Sequence, residues 1–492
     1  PKPYTPVGIA TWRAVPDCTA NNFATLNSIF PTITGANIDY TNGNLTVSNT
    51  DSSGGQAAGN IGFSTGKWYF EGYPTTSGTS TNLIGIRPTE YFTTNPQNRT
   101  SYRSSGDVYN DNSTTTQSGT TYTTGDVIGV AVDMNDRNIW FSKNGVWVYS
   151  GDPDAGTNPA VGSGITFDSY TPATMFDNAA GTKQWDMNFG QNPTFSGQVS
   201  AGATERNSDE NGIGEFRYTP PSGFLALCED NLPTPAITDP GKYFKTVLWT
   251  GDGSVGRNIT GVGFKPDLVW IKSRSFANNH HLFDSVRGPN RILRSSTTDA
   301  ESIPGNVMPS FNEDGFTVGE DGSNNATNDN GSTFVAWCWQ AGAGTTSLNT
   351  DGAINSVVSV NQDAGFSIIS YTGTGSNTTV GHGLTVTPNV VICKNRTDNG
   401  TNWSFNGNVA GLVYGTNKLV LQSSLNIAGD TNEVMGAGTS ILNLGTSSAV
   451  NDTNDEQIAY CWHEVEGFSK IGSYVGNGDN DGPFVYCGFK PA

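Results

Sequence analysis

The clearest pattern of apolar and polar positions runs from Gly125 to Gly145, GDVIGVAVDMNDRNIWFSKNG. Val127 to Val132 form an almost unbroken apolar run, and Asp133 to Asn138 form a polar turn rich in Asp and Asn. Ile139 to Phe141 resume the apolar character, and Asn144 and Gly145 end it. A half-exposed strand alternates apolar and polar side chains, so a short β-branched run bounded by turn residues predicts a strand buried on both faces. The stretch is expected to be a hairpin at the centre of a β sandwich.

The surrounding segments extend this picture. GKWYFEGYP puts Trp68 and Phe70 on one strand face and Tyr69 and Glu71 on the other. NLIGIRP, TPATMF and QWDMNFGQNP are strand-like, and IDYTNGNLTVSN from Ile38 predicts a hairpin turning at Asn42 and Gly43. Thr89 to Thr124 is long, polar and dotted with tyrosines. A stretch of that kind is either a functional loop or a disordered one.

The second half repeats itself. Trp249-Thr250-Gly251-Asp252-Gly253-Ser254 is echoed by Tyr371-Thr372-Gly373-Thr374-Gly375-Ser376 and again by Tyr474-Val475-Gly476-Asn477-Gly478-Asp479. GFKPDLVWIKSR returns as GLTVTPNVVICKNR, RILRSS as KLVLQSS, and FVAWCWQAG as IAYCWHEVEG. Landmarks recur roughly 120 residues apart, too far for a solenoid, so they predict duplicated domains. The fold class expected is all-β: a two-sheet sandwich followed by two related β-rich domains in tandem, with little helix. The expected division is a lead-in with a hairpin (1–60), the sandwich (61–232), a linker (233–244) marked by Pro233, Pro235 and Pro240, a first repeat (245–345) and a second (346–470). Residues 471–492 either begin a third repeat or complete the second.

Composition narrows the chemistry. Charged residues are 14% of the 492, and the net charge is -19. An acidic, charge-poor chain is a poor partner for nucleic acid, whose phosphates call for clustered Lys and Arg. No apolar run approaches the roughly 20 residues of a membrane span, and PKPYTPVGIATW does not read as a secretory signal, so a soluble chain without membrane insertion is expected. Cys18, Cys228, Cys338, Cys393, Cys461 and Cys487 form no C-x-x-C pair and read as buried reduced thiols, with a Cys18–Cys228 bridge as the alternative.

Catalytic signals are thin. Four histidines occur, and His280-His281 with Asp284 could join at a metal only from a loop, because neighbours on a strand face opposite ways. The acidic turns at 133–138, 319–331 and 476–482 lack the calcium-loop spacing and read as hairpin turns. No catalytic residue, metal or cofactor is expected. Binding is better supported, because tyrosines on polar loops offer amphipathic contact area with few rotors to freeze. Tyr91, Phe92, Tyr102, Arg103, Tyr109 and Tyr122 are the expected exposed recognition surface, and the alternative is that these tyrosines pack their own loop or a neighbouring subunit.

Five motifs, GKWYFEG, NLIGIRP, GDVIGVAVD, NIWFSKNG and DMNFGQNP, occur in the order and roughly the spacing of a SPRY domain, which this region resembles. That likeness implies a bent, concanavalin-like two-sheet sandwich that binds through variable loops. The repeated unit resembles a domain of tailed-bacteriophage structural proteins in which a WTGxGS start, a VWIK strand and a DSVRG turn recur. Here they are Trp249 to Ser254, Val269 to Lys272 and Asp284 to Gly288, while NGNVAGLVYG replaces the DSVRG turn in the second copy. The resemblance implies a non-enzymatic virion component, a tail fibre or appendage, contributing to host attachment. Its expected partners are other virion proteins, a host surface glycan or protein, and further copies of itself, as a trimer in the manner of fibres. The expected location is the virion surface after assembly in the host cytoplasm. The alternatives are a capsid-surface decoration or head fibre, and a polysaccharide-binding or polysaccharide-degrading surface protein.

Overall fold

The computed structural model describes residues 21–28, 37–50, 54–76, 82–89, 99–110, 113–115, 120–167, 169–177, 181–200, 206–319, 327–409, 411–424, 426–429, 432–474, 485 and 487–489. The chain divides into two compact units, Pro1–Pro233 with Tyr474–Ala492, and Thr234–Ser473. Among the described residues strand accounts for 42% and helix for 3%.

In the first unit Ile38–Thr41 (β1) and Thr46–Asn49 (β2) form a hairpin, followed by Gly55–Ala58 (β3), Lys67–Thr76 (β4) and Asn82–Pro88 (β5). Thr100–Arg103 (β6), Val108–Asn110 (β7) and Ser113–Thr115 (β8) precede the hairpin of Ile128–Asp133 (β9) and Asn138–Lys143 (β10). Val146–Trp147 (β11), Tyr170–Phe176 (β12), Lys183–Asn188 (β13) and Leu225–Ala226 (β14) complete the unit. One sheet runs β1, β2, β13, β4, β9, β10, β11, with β14 also against β4, and the other runs β3, β12, β5, β6, β7, β8. Residues 38–58 thus supply three strands of the sandwich rather than standing apart as a lead-in, because β2 pairs with β13 and β3 with β12.

The β9–β10 hairpin is buried on both faces. Val130, Val132, Ile139 and Phe141 join Trp68, Phe70 and Trp185 between the sheets. On the other face Tyr69, Ala131 and Trp140 pack against Phe216, Phe224 and Ala226 of a returning segment. The DMNDRN turn is held by its own first residue: Asp133 Oδ1 accepts the N–H groups of Asn135 (2.9 Å) and Asp136 (3.1 Å). Lys67 Nζ lies 3.0 Å from the other Asp133 oxygen.

The second unit is one module built twice. The first copy contains Phe244–Thr250 (β15), Arg257–Ile259 (β16), Leu268–Ser273 (β17), His281–Asp284 (β18), Leu293–Arg294 (β19), Ser310–Asn312 (β20), Gly315–Val318 (β21) and Thr333–Trp339 (β22). The second opens with an added hairpin, Ser347–Asn349 (β23) and Ser356–Asn361 (β24), then Phe366–Thr372 (β25), Thr378–Gly381 (β26), Val390–Asn395 (β27) and Ser404–Gly407 (β28). Asn417–Val420 (β29), Ala428–Gly429 (β30), Val434–Ala437 (β31), Ile441–Leu444 (β32), a single helical turn Ser448–Asn451 (α1) and Glu456–Trp462 (β33) finish it. The large sheets run β15, β22, β17, β18, β19 and β23, β24, β25, β33, β27, β28, β29, β30; the small ones run β16, β21, β20 and β26, β32, β31.

The match extends to register. Phe244 and Leu268 both pair with Trp339, as Phe366 and Val390 both pair with Trp462. Trp249 Nε1 donates to the carbonyl of Thr327, and Tyr371 Oη donates to that of Val450. Gly251 and Gly373 permit the approach of the next loop: a Cβ there would lie 2.0 Å from the Asp329 carbonyl oxygen and 2.1 Å from that of Asp452.

Each large sheet covers one face with its own small sheet. The other faces meet in a shared core containing Leu268, Leu282, Leu293, Phe366, Val390 and Tyr460. Inside it the DSVRG turn buries an ion pair, with Arg287 Nε 2.5 Å from Asp284 Oδ2 and both side chains fully covered. Tyr460 of the second module donates to the same oxygen at 2.7 Å. Arg287 also donates to the carbonyls of Leu282 and Arg291 and to Glu301, which Arg291 and Arg396 hold from the other side. Burial alone would lower the Arg287 pKa, but the negative charges of Asp284 and Glu301 more than reverse this and raise it. One junction needs one such turn, which accounts for its replacement in the second copy.

Cys338, Cys393 and Cys461 lie in these cores as free thiols, and Cys228 is free and buried in the first unit. Cys18, and most of the 471–492 stretch expected to start or finish a repeat, lie outside the described residues.

Asp284→Ala is expected to cost about 3–5 kcal/mol, because it strands a buried guanidinium. Asp284→Leu with Arg287→Met is expected to recover a large part of that loss, with chemical denaturation of the full chain as the measurement.

Candidate functional site

The alternation of strands β5 to β7 sorts the expected recognition residues into two faces. Ile84 pairs with Tyr102, and Tyr102 with Val108, so these three share a face, as do Leu83 and Arg103 on the other. Ser101 pairs with Tyr109, which places Tyr109 between Arg99 and Arg103 on that second face.

The inward face corrects part of the expectation. Tyr102 is fully buried and Tyr122 is 4% exposed, so neither belongs to an exposed recognition surface. Tyr102 stacks on Phe141 with ring centroids 5.4 Å apart, and its hydroxyl donates to the Thr120 carbonyl. Tyr122 Oη donates to the carbonyls of Asn82 (2.6 Å) and Tyr102 (3.0 Å) and packs near Trp185. A tyrosine can occupy a core when its hydroxyl finds a carbonyl. Tyr91 and Phe92 lie outside the described residues.

The outward face collects cations around one ring. Tyr109 is half-buried against Leu83, Ala173 and Met175. Arg99 Cζ lies 5.2 Å and Arg103 Cζ 5.9 Å from its ring centroid, and Arg103 Nη1 donates to its hydroxyl at 3.1 Å. Arg87 is 3% exposed on the same side of β5. Burial, and then the charge of Arg99, lower the Arg87 pKa to about 10, so it stays a cation at neutral pH. Burial lowers Arg99 as well. Guanidinium groups beside a phenol suit recognition of carboxylate, phosphate or sulfate by planar, charge-assisted hydrogen bonds. Arg87 and Arg99 were not among the residues expected from sequence; the signal that finds them is the pairing of β5 with β6.

Other titratable groups are built into the scaffold. Glu71 on β4 is fully buried and accepts four hydrogen bonds, from Arg217 N (2.8 Å), Tyr218 N (2.8 Å), Tyr69 Oη (3.0 Å) and Asn188 Nδ2 (3.1 Å). Burial pushes its carboxyl up to about 7 against those bonds. It ties the returning segment onto the first sheet. His281 and Asp284 fall on opposite faces of β18, and Asp284 is committed to Arg287, so the His280, His281 and Asp284 trio does not converge. Among the described residues Asp398, Asp452 and Asp455 bring carboxylate oxygens within 4.8 Å of one another, and Asn395 donates to Asp455.

Comparison with known proteins adds two family matches. The domain of unknown function DUF7483 matches residues 239–492, and the SPRY domain matches residues 61–191. Among solved structures, the SPRY domain of human HERC1 is 20% identical, with a TM-score of 0.26, over 31% of this chain and 92% of that one. The TRIM65 PSpry domain is 12% identical, with a TM-score of 0.24, over 34% and 92%. The carbohydrate binding module CBM66 from Bacillus subtilis is 6% identical, with a TM-score of 0.24, over 34% and 94%. No curated protein matches the chain. Residues 61–191 are a SPRY domain, within an all-β fold.

Tyr102→Ala is expected to cost about 3–5 kcal/mol through the cavity it opens between the sheets, read from the denaturation midpoint. For Glu71 the raised pKa sets the sign: the stability it contributes is fully present below about 4.5 and is lost as pH rises through about 7. Thermal unfolding of the intact chain should therefore shift downward across that window, and Glu71→Gln should flatten the shift.

Proposed function

For a chain that belongs to the DUF7483 family and carries a SPRY domain ahead of that region, we propose a non-catalytic structural and binding role. The chain is a component of a tailed-bacteriophage particle, a tail fibre or appendage, displayed on the virion surface and contributing to host attachment. The observation that carries the binding part is the outward face of Arg99, Arg103 and Tyr109, with buried Arg87 beneath it, which joins cations to an aromatic ring in a chain of net charge -19. The structural part is supported by the doubled module, whose buried charges are spent on joining its two copies. The phage assignment is supported by the WTGxGS, VWIK and DSVRG motifs. The ligand expected is a host surface group bearing carboxylate, phosphate or sulfate, held by charge-assisted bonds that weaken as salt rises.

Electron microscopy of purified particles with a labelled antibody is the direct test. Label on the particle surface is the expected result, and particles without label overturn the assignment. On labelled particles Arg103→Ala should slow adsorption to host cells, while release of oligosaccharides from host envelope by the pure chain would replace binding with catalysis.

A further inference from the structure

The two large sheets of the doubled unit cover each other unevenly. Across the first module's sheet the register places Thr246, Trp337, Trp270, Leu282 and Leu293 in one row. Leu282 and Leu293 are buried, Trp270 and Trp337 are half-buried, and Thr246 is exposed. The next row starts with Leu248, 62% exposed, and continues through half-buried Val335 and Lys272. In the second module the matching row is Ile368, Tyr460 and Ile392, exposed by only 0%, 1% and 7%. The positions that are core in the second copy are half-buried or exposed in the first at Trp270, Trp337 and Thr246, and Trp270 sits where this row leaves the shared core, packed against its edge.

The open row is also built with polar groups. The rings of Trp270 and Trp337 lie 6.5 Å apart at 77°. Trp270 Nε1 donates to His280 Nδ1 at 3.2 Å. An indole nitrogen only donates, so Nδ1 must be the acceptor, and a neutral His280 carries its proton on Nε2 as a donor. Burial, then the charge of Lys272, lower the His280 pKa in the same sense. Lys272 is anchored through the carbonyls of Ser273 (2.8 Å) and Phe276 (3.4 Å).

We propose that this face, Trp337 and Trp270 with Leu248, Lys272 and His280, is a binding platform for a polysaccharide that carries carboxylates. Indole surfaces offer broad apolar area for the C–H faces of sugar rings, with polar edges that tolerate water. A row of side chains running across neighbouring strands suits an extended chain rather than a single sugar. Lys272 supplies the opposite charge in a chain whose net charge of -19 would otherwise repel an acidic polymer. The inference deepens the attachment reading by naming a ligand class, and it rests on that reading only for the source of the glycan.

The test is affinity electrophoresis of the full chain in gels containing polygalacturonate or hyaluronate, with neutral dextran as the contrast. Retardation by an acidic polymer, lost as salt rises, is expected; no retardation by either overturns the proposal, and equal retardation by dextran overturns its charge component. Trp337→Ala should weaken binding about tenfold or more, and Lys272→Gln should weaken it toward the dextran level. Leu248→Glu, at an exposed position, tests the platform without touching the core: unchanged binding in this variant, with an unaltered unfolding midpoint, overturns the assignment. Particles that carry antibody label while the chain ignores acidic glycans would remove the platform and leave the attachment reading standing.

Discussion

A β-sheet has two faces, and every apolar face must be covered. The first unit meets that constraint with a second sheet on one side of β4, β9 and β10 and a returning segment on the other, where Phe216, Phe224 and Ala226 seat on Tyr69, Ala131 and Trp140. The second unit meets it by duplication. Each module's small sheet covers one side of its large sheet, and the remaining sides cover each other. Because a strand inside such a stack meets apolar neighbours on both sides, its sequence loses the alternation of a half-exposed strand.

Burial on this scale obliges each covered polar group to find a partner. Glu71 takes two backbone N–H groups of the returning segment, so a carboxyl that is costly to bury also fixes where that segment lies. Asp267 does the same for the connection between modules, accepting from the N–H groups of Ala341, Ala343 and Gly344 and from the hydroxyls of Ser285 and Ser359. The Asp284–Arg287 pair, closed by Tyr460, sits at the one junction where the copies differ in role. Duplication therefore preserved strand order and register while the facing surfaces diverged.

Each unit leaves one aromatic surface incompletely covered. Where the modules do not cover each other, the first copy keeps tryptophans beside a lysine. On the second sheet of the sandwich, arginines surround a tyrosine. Both surfaces pair an aromatic group with a cation, the combination the proposed anionic ligands call for.

Local sequence determined the elements whose causes are local. The Val127–Val132 run, the Asp133 turn and the repeated Trp/Tyr-Thr-Gly-x-Gly-Ser loops are legible because an apolar run, an Asx turn and a close backbone approach each need particular residues at particular positions. Part of the candidate site was legible too, since Arg103 and Tyr109 do share a face. Only the tertiary structure decided that Tyr102 and Tyr122 belong to the core. In Thr100–Arg103 the inward tyrosine is flanked by polar residues, and its direction follows from pairing with β5, which lies across a long connection. Likewise, nothing within DSVRG tells that its Asp and Arg are dry, because the residues that dry them come from the second module. A side chain's facing is a property of its partners, and those partners lie far away in the chain.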